Sequence, residues 1–207
     1  MRQITKVEGK DAIAVADWIA LQLGAAFAKQ EGPLAICVPG GSTPFPIFEE
    51  LVRRDLDFSR LVVWPGDDRV VPEDHPASNT GKIRRLFESA GAEVVTLTVM
   101  EQVPHFALAW LGMGTDGHIA SLFPNTDPKA DDPLAIRRLT PDPLPPEAPF
   151  DRITLTIPSL LNSDRIMFTL GGSAEKQAVF DAAMRGENDL PVARLLKAAS
   201  QPVTCFL

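Results

Sequence analysis

The chain has 207 residues, 45% of them hydrophobic, enough to bury one substantial core, so a single domain spanning 1–207 is expected. A formal net charge of -7 and a pI near 5.0 leave no basic footprint for a nucleic-acid backbone, although a few concentrated cations could still hold a small anion. No apolar run approaches the roughly 20 residues of a membrane span, and the isolated thiols Cys37 and Cys205, with no leader segment in view, predict a soluble cytoplasmic protein with buried reduced cysteines.

From the N-terminus, Ala12, Val15, Ala16, Ile19, Leu23 and Phe27 recur at helical spacing and predict a helix from Asp11 to about Gln30, stopped by Gly32-Pro33. Leu34–Val38 (LAICV) is a short uninterrupted apolar run, the pattern of a strand buried on both faces. After the turn PGGSTP, FPIFEELVRR has helical spacing and a basic end that suits the helix dipole. Leu61–Trp64 predicts a second strand, followed by the polar loop PGDDRVVPEDHPASN, in which Ser78 and Asn79 can cap a helix running to about Phe87. Val94–Thr98 and Phe106–Met113 predict further strands, with little room between Phe87 and Phe106 for a crossover helix. The Pro-rich stretch from Pro124 to Pro149 has no clear periodicity, and no strand is expected in it. DRITLTIP then alternates as a strand does, and RIMFTL with GGSAEKQAVFDAAMR predicts strand, glycine turn and helix. A last helix at Pro191–Ala198 and a short strand VTCFL complete the series. Strands alternating with helices predict an α/β, Rossmann-like layered fold with a mostly parallel central sheet flanked by helices.

In such a fold ligands bind beyond the carboxyl ends of the strands, where four loops fall: PGGSTP, GDDRVV, GMGTDGH and GGSAEK. In the first, Gly40 and Gly41 let the backbone approach a ligand, Ser42 and Thr43 offer hydroxyls, and Pro44 suits the first turn of a helix. The segment can therefore cradle an anion, or be an ordinary glycine turn with a Ser or Thr cap; it lacks the Gly-Lys-Ser/Thr ending of a Walker loop. Arg69, beside Asp67 and Asp68, belongs either to a solvated loop with internal ion pairs or to a phosphate site in which the acids orient a bidentate guanidinium. The spacing of Asp67, Asp68, Asp74 and His75 matches no strong ligand pattern, and no metal is expected. Lys176 falls in the first turn of a helix, where a cation opposes the dipole, and that mild cost favours a ligand role as much as a plain surface position.

The stretch LGMGTDGHIASLFP (Leu111–Pro124) admits two readings. Gly112, Gly114 and Gly117 fit a dinucleotide fingerprint, but Asp116 would set a carboxylate near the pyrophosphate, and the acid expected roughly 20 residues on would fall near Asp131–Ile136, outside any expected strand. The other reading is a turn that presents Asp116 and His118 for acid-base chemistry, imidazole being the side chain best suited to moving protons near pH 7. His75 and His105 each flank a proline and are expected at the surface. A Ser42, Asp116, His118 triad is disfavoured because acid and imidazole two residues apart are poorly placed to pair, and Pro44 replaces the glycine of a nucleophile elbow.

PGGSTP, WPGDDRVVPEDHPASN, LGMGTDGHIASLFP, RITLTIPSLLNSDRI and GGSAEK, in that order, resemble the 6-phosphogluconolactonase family. The related glucosamine-6-phosphate deaminases share the fold and the Asp-Gly-His turn, but typically continue Phe-Asn-Glu-Pro after HIA, where this chain has SLFP. The resemblance implies the sheet common to both families, hydrolysis of 6-phospho-D-glucono-1,5-lactone in the pentose phosphate pathway, a phosphorylated sugar lactone as the small-molecule partner, and no metal or organic cofactor. It implies His118 as catalytic base with Asp116 beside it, a phosphate loop at Gly41, Ser42 and Thr43, and Arg69 and Lys176 as further phosphate ligands. Asp68 stands where the family has Glu, and Ile119 where His-Thr-Ala is commoner.

Overall fold

The computed structural model describes residues 3–146 and 148–207. Its centre is a seven-stranded sheet of β1 (Ile4–Val7), β2 (Leu34–Val38), β3 (Leu61–Pro65), β5 (Glu93–Val94), β6 (Leu108–Leu111), β9 (Ile166–Thr169) and β10 (Val203–Phe206), in the spatial order β1-β10-β9-β6-β2-β3-β5, and every neighbouring pair is parallel. The expected α/β layering is therefore present, with no antiparallel strand in this sheet.

The uninterrupted apolar runs become strands covered on both faces, and the period of two sorts their side chains. Leu34, Ile36, Val38, Leu108, Trp110 and Met167 face one cluster, with α1 (Ala12–Phe27), α2 (Phe45–Leu51) and α3 (Asn79–Phe87). Cys37, Ala109, Leu111, Ile166 and Phe168 face the other, with α4 (Ile157–Leu161), α5 (Ala174–Arg185) and α6 (Pro191–Ala198). Phe48 anchors the first layer, with edge-to-face contacts to Phe45, Phe87 and Trp110 at 5.3, 5.2 and 4.9 Å. The one polar atom Trp110 carries inward is satisfied, its indole N–H donating to Thr169 Oγ1 at 3.0 Å. Both cysteines are buried free thiols, and burial raises the Cys205 pKa to about 12.

Several local expectations are corrected. The strand β1 is half-exposed, and its Ile-Thr-Lys-Val sequence carries too little pattern to announce an edge strand. In place of the expected Val94–Thr98 strand, the two residues Glu93–Val94 pair with β3, because the chain leaves the sheet edge there and returns to the centre at β6 without a helix. GDDR is not simply loop: β4 (Asp67–Arg69) pairs antiparallel with β8 (Arg152–Leu155), which pairs with β7 (Ile136–Leu139), forming a second, three-stranded sheet. Thus a strand does lie in the Pro-rich stretch, near the position a dinucleotide site would give its ribose-binding acid. It belongs to the wrong sheet, and Asp132 is tied to Arg137 through Nε at 2.5 Å and Nη2 at 2.8 Å. Among the described residues no helix is long and apolar enough to cross a membrane.

Candidate active site

Because β9, β6, β2 and β3 are adjacent and parallel, the four chemically suggestive loops leave the same edge of the sheet side by side. The chain proceeds from β2 to β3 on one side while β6 lies on the other, so the crevice opens where the winding reverses. A cleft of about 370 Å³ lies there, and Gly41, Ser42, Thr43, Arg69, His118 and Lys176 all line it. Asp116 borders the contiguous opening, with His118, Phe123 and Lys176.

The β6 loop is shaped by two glycines. Gly117 turns the chain at a φ of 78°, and the turn is closed by Gly117 N–H donating to Gly114 O at 3.0 Å and Gly114 N–H to His118 O at 2.9 Å. This turn swings Asp116 and His118 to one side: Asp116 Oδ1 meets His118 Nδ1 at 2.6 Å and also accepts the His118 backbone N–H at 3.2 Å. Residues two apart, expected to be poorly placed to pair, do pair here, and the case against a Ser42 nucleophile rests on Pro44, which stands as the N-cap of α2. The hydrogen bond from His118 holds the Asp116 carboxyl below the usual carboxylate range, with burial opposing. An ionised acid only accepts, so in the neutral imidazole the proton sits on Nδ1 and the lone pair on Nε2. Phe123 packs on the ring at 4.8 Å between centroids.

Gly114 must be glycine for reasons of space. A Cβ there would fall 2.2 Å from His118 Nδ1 and 2.6 Å from Asp116 Oδ1. Gly114→Ala is expected to displace the pair by about an ångström and lower turnover on the order of 10²-fold, while the melting temperature moves little; steady-state kinetics beside a thermal melt check this.

On the anion side, Gly41, Ser42 and Thr43 are exposed, and neither hydroxyl caps α2, which removes the plain capping explanation for them. Arg69 is held by its Nη1 donating to Ala77 O at 2.8 Å, a backbone carbonyl rather than the neighbouring carboxylates expected to orient it. Lys176 lies in the first turn of α5, whose Ser173 cap accepts the Lys176 N–H at 3.3 Å. The side chain at 119 is fully buried in the apolar layer, so the isoleucine leaves the acid-base pair untouched.

Asp68 has a structural task. It accepts from the backbone N–H groups of Arg69, Asn79 and Thr80 at 2.7, 2.6 and 2.9 Å and from the Ser78 hydroxyl at 3.1 Å, joining β4 to the start of α3. Asp68→Ala would strand these donors and is expected to cost about 3 kcal/mol, seen as a fall of roughly 6–12 °C in melting temperature.

Three further residues that the sequence does not mark as site residues line the cleft. Arg152 is 3% exposed, with Nη2 donating to Ala148 O at 2.8 Å, and burial, then the nearby Arg69 charge, lower its pKa. Asp67, which the sequence sets beside Arg69 and in a carboxylate group whose spacing matches no metal pattern, is buried, and the Ser121 hydroxyl donates to its Oδ2. Asn79 donates through Nδ2 to Asp67 O at 3.1 Å, and its carboxamide lies flat against Gly40. These assignments depend on packing between separate strands, which no local pattern encodes.

Comparison with known proteins places this chain among relatives. The model of the family described as glucosamine-6-phosphate isomerases/6-phosphogluconolactonase matches residues 9–99 and 87–204. The chain is 30% identical over 218 residues to 6-phosphogluconolactonase of Neisseria meningitidis serogroup A, covering 94% of this chain and 92% of that protein. It is 33% identical over 220 residues to 6-phosphogluconolactonase of Pseudomonas aeruginosa, covering 95% and 91%. The crystal structure of a 6-phosphogluconolactonase from Shewanella baltica superposes with a TM-score of 0.81 at 26% identity, covering 100% of this chain and 97% of that one.

Proposed function

The chain belongs to the glucosamine-6-phosphate isomerase/6-phosphogluconolactonase family, and on that premise we propose that it hydrolyses 6-phospho-D-glucono-1,5-lactone to 6-phosphogluconate with His118 as general base. The supporting observation is that an imidazole with Nδ1 tied to an ionised acid shares one cleft with Ser42, Arg69 and Lys176. The phosphate binds the cations and loop N–H groups at one end, and this remote binding energy holds the lactone carbonyl before His118. His118 Nε2 takes a proton from water as the water oxygen attacks C1; as the tetrahedral adduct collapses, the same proton passes to the departing ring oxygen. Asp116 keeps the imidazole in the required tautomer and stabilises it when charged.

Deamination or isomerisation of an amino-sugar phosphate needs a further acid-base group. The position at which the deaminases resembling this chain carry Glu is Phe123 here, a ring tilted against His118. A purified sample should consume the phosphorylated lactone well above its spontaneous rate and the unphosphorylated lactone far more slowly. No consumption above background would remove the proposal.

A further inference from the structure

Asp67 is the one acid among the described residues that line the cleft, and it is 9% exposed. A carboxyl in that position needs either a cation on it or a proton. Arg69 and Arg152, the cations nearest in the cleft wall, spend N–H donors on the backbone carbonyls of Ala77, Ala148 and Phe150, and neither bonds Asp67. The hydrogen bond the Asp67 carboxyl does receive is from Ser121 Oγ to Oδ2, which leaves Oδ1 to meet a ligand.

We propose that Asp67 meets the substrate as a neutral carboxylic acid and donates a hydrogen bond from Oδ1 to the lactone carbonyl oxygen as that oxygen takes on negative charge. This rests on the lactonase reading with His118 as base, and it supplies the oxyanion donor that reading leaves unassigned. The groups facing Asp67 are His118, Arg69, Arg152, Asp68 and Cys37. Burial is the largest influence and raises its pKa; Ser121, Arg69 and His118 oppose, and Asp68 reinforces. A bound phosphate dianion engages Arg69 and weakens that opposition, so the neutral form is favoured further in the complex. The site then holds two carboxyl groups pushed apart by their surroundings, Asp116 down and Asp67 up, with different tasks.

The steps balance. The water O–H bond breaks, its proton goes to His118 Nε2, and the C1–O bond forms. The carbonyl π pair moves onto the oxygen that Asp67 contacts. On collapse the carbonyl reforms, the bond from C1 to the ring oxygen breaks, and the His118 proton goes to that oxygen. Asp67 starts and ends protonated.

Asp67→Asn copies the neutral acid in shape and retains a donor, whereas Asp67→Ala removes it. With purified full-length protein and the phosphorylated lactone, Asp67→Asn is expected to lower kcat about tenfold and Asp67→Ala about 10²–10³-fold, with KM changed little in either. If Asp67→Asn falls as far as Asp67→Ala, or if the loss appears in KM, Asp67 acts as a charged acceptor and the proposal is overturned. Should Asp67→Ala fail to fold in a thermal melt, Asp67→Asn alone decides: a fall near tenfold sustains the proposal, and one of 10²-fold or more defeats it. Wild-type protein without turnover overturns this inference together with the lactonase reading; active wild-type protein with a crippled Asp67→Asn overturns this inference alone.

Discussion

His118→Ala is expected to lower kcat on the phosphorylated lactone by about 10²–10⁴-fold, the range for removing a positioned general base. The protein should stay folded. The imidazole is one-third exposed, it contacts Asp116 and Phe123 at the surface of the cleft, and no core cluster depends on it. After truncation Asp116 keeps contact with water, so no buried charge is stranded; its side chain is 51% exposed. KM should move far less than kcat, because the proposed phosphate ligands Ser42, Arg69 and Lys176 are other residues of the cleft lining. Single-turnover rates across the neutral pH range, corrected for spontaneous hydrolysis, measure this directly. A variant that turns over at the wild-type rate would mean that the proton acceptor is another group.

Arg69→Ala should act on the opposite end of the substrate. A charge-assisted hydrogen bond to phosphate is worth about 1.5–3 kcal/mol, which corresponds to a rise in KM of roughly 10- to 100-fold for the phosphorylated lactone. The bond from Nη1 to Ala77 O leaves the guanidinium other N–H groups for a ligand, so holding the side chain in place and binding an anion are compatible. The unphosphorylated lactone should react with the variant nearly as it does with wild type. Kinetics of both substrates on the same preparation separate the outcomes, and equal losses would take Arg69 out of the phosphate site.

The layered α/β fold was legible because its signals are local. LAICV and LAWL have room for polar residues on neither face, and α1 repeats its apolar positions at helical spacing. The motif loops were legible because strand-turn-helix punctuation marks the carboxyl ends of strands. Beyond those signals, β4 was hidden in a run of charges, Asp67-Asp68-Arg69, that makes a strand only because β8 pairs with it. The same pairing buries Arg152 and Asp67, which no periodicity could announce.

The amino-acid sequence by itself determined the inner strands of the main sheet and most of the helices that cover it, though not β1 or the shortness of β5, and that an acid and an imidazole share one glycine turn. Tertiary structure alone decided that this turn closes tightly enough to bond Asp116 to His118, that Arg69 hangs from Ala77 rather than from its neighbouring acids, and that Asp67 is buried beside them. Backbone periodicity is a property of a few consecutive residues. The burial and partnership of a charged side chain are set by whatever the rest of the chain packs against it, and here β8 and the Ser121 loop arrive from 54 or more residues away.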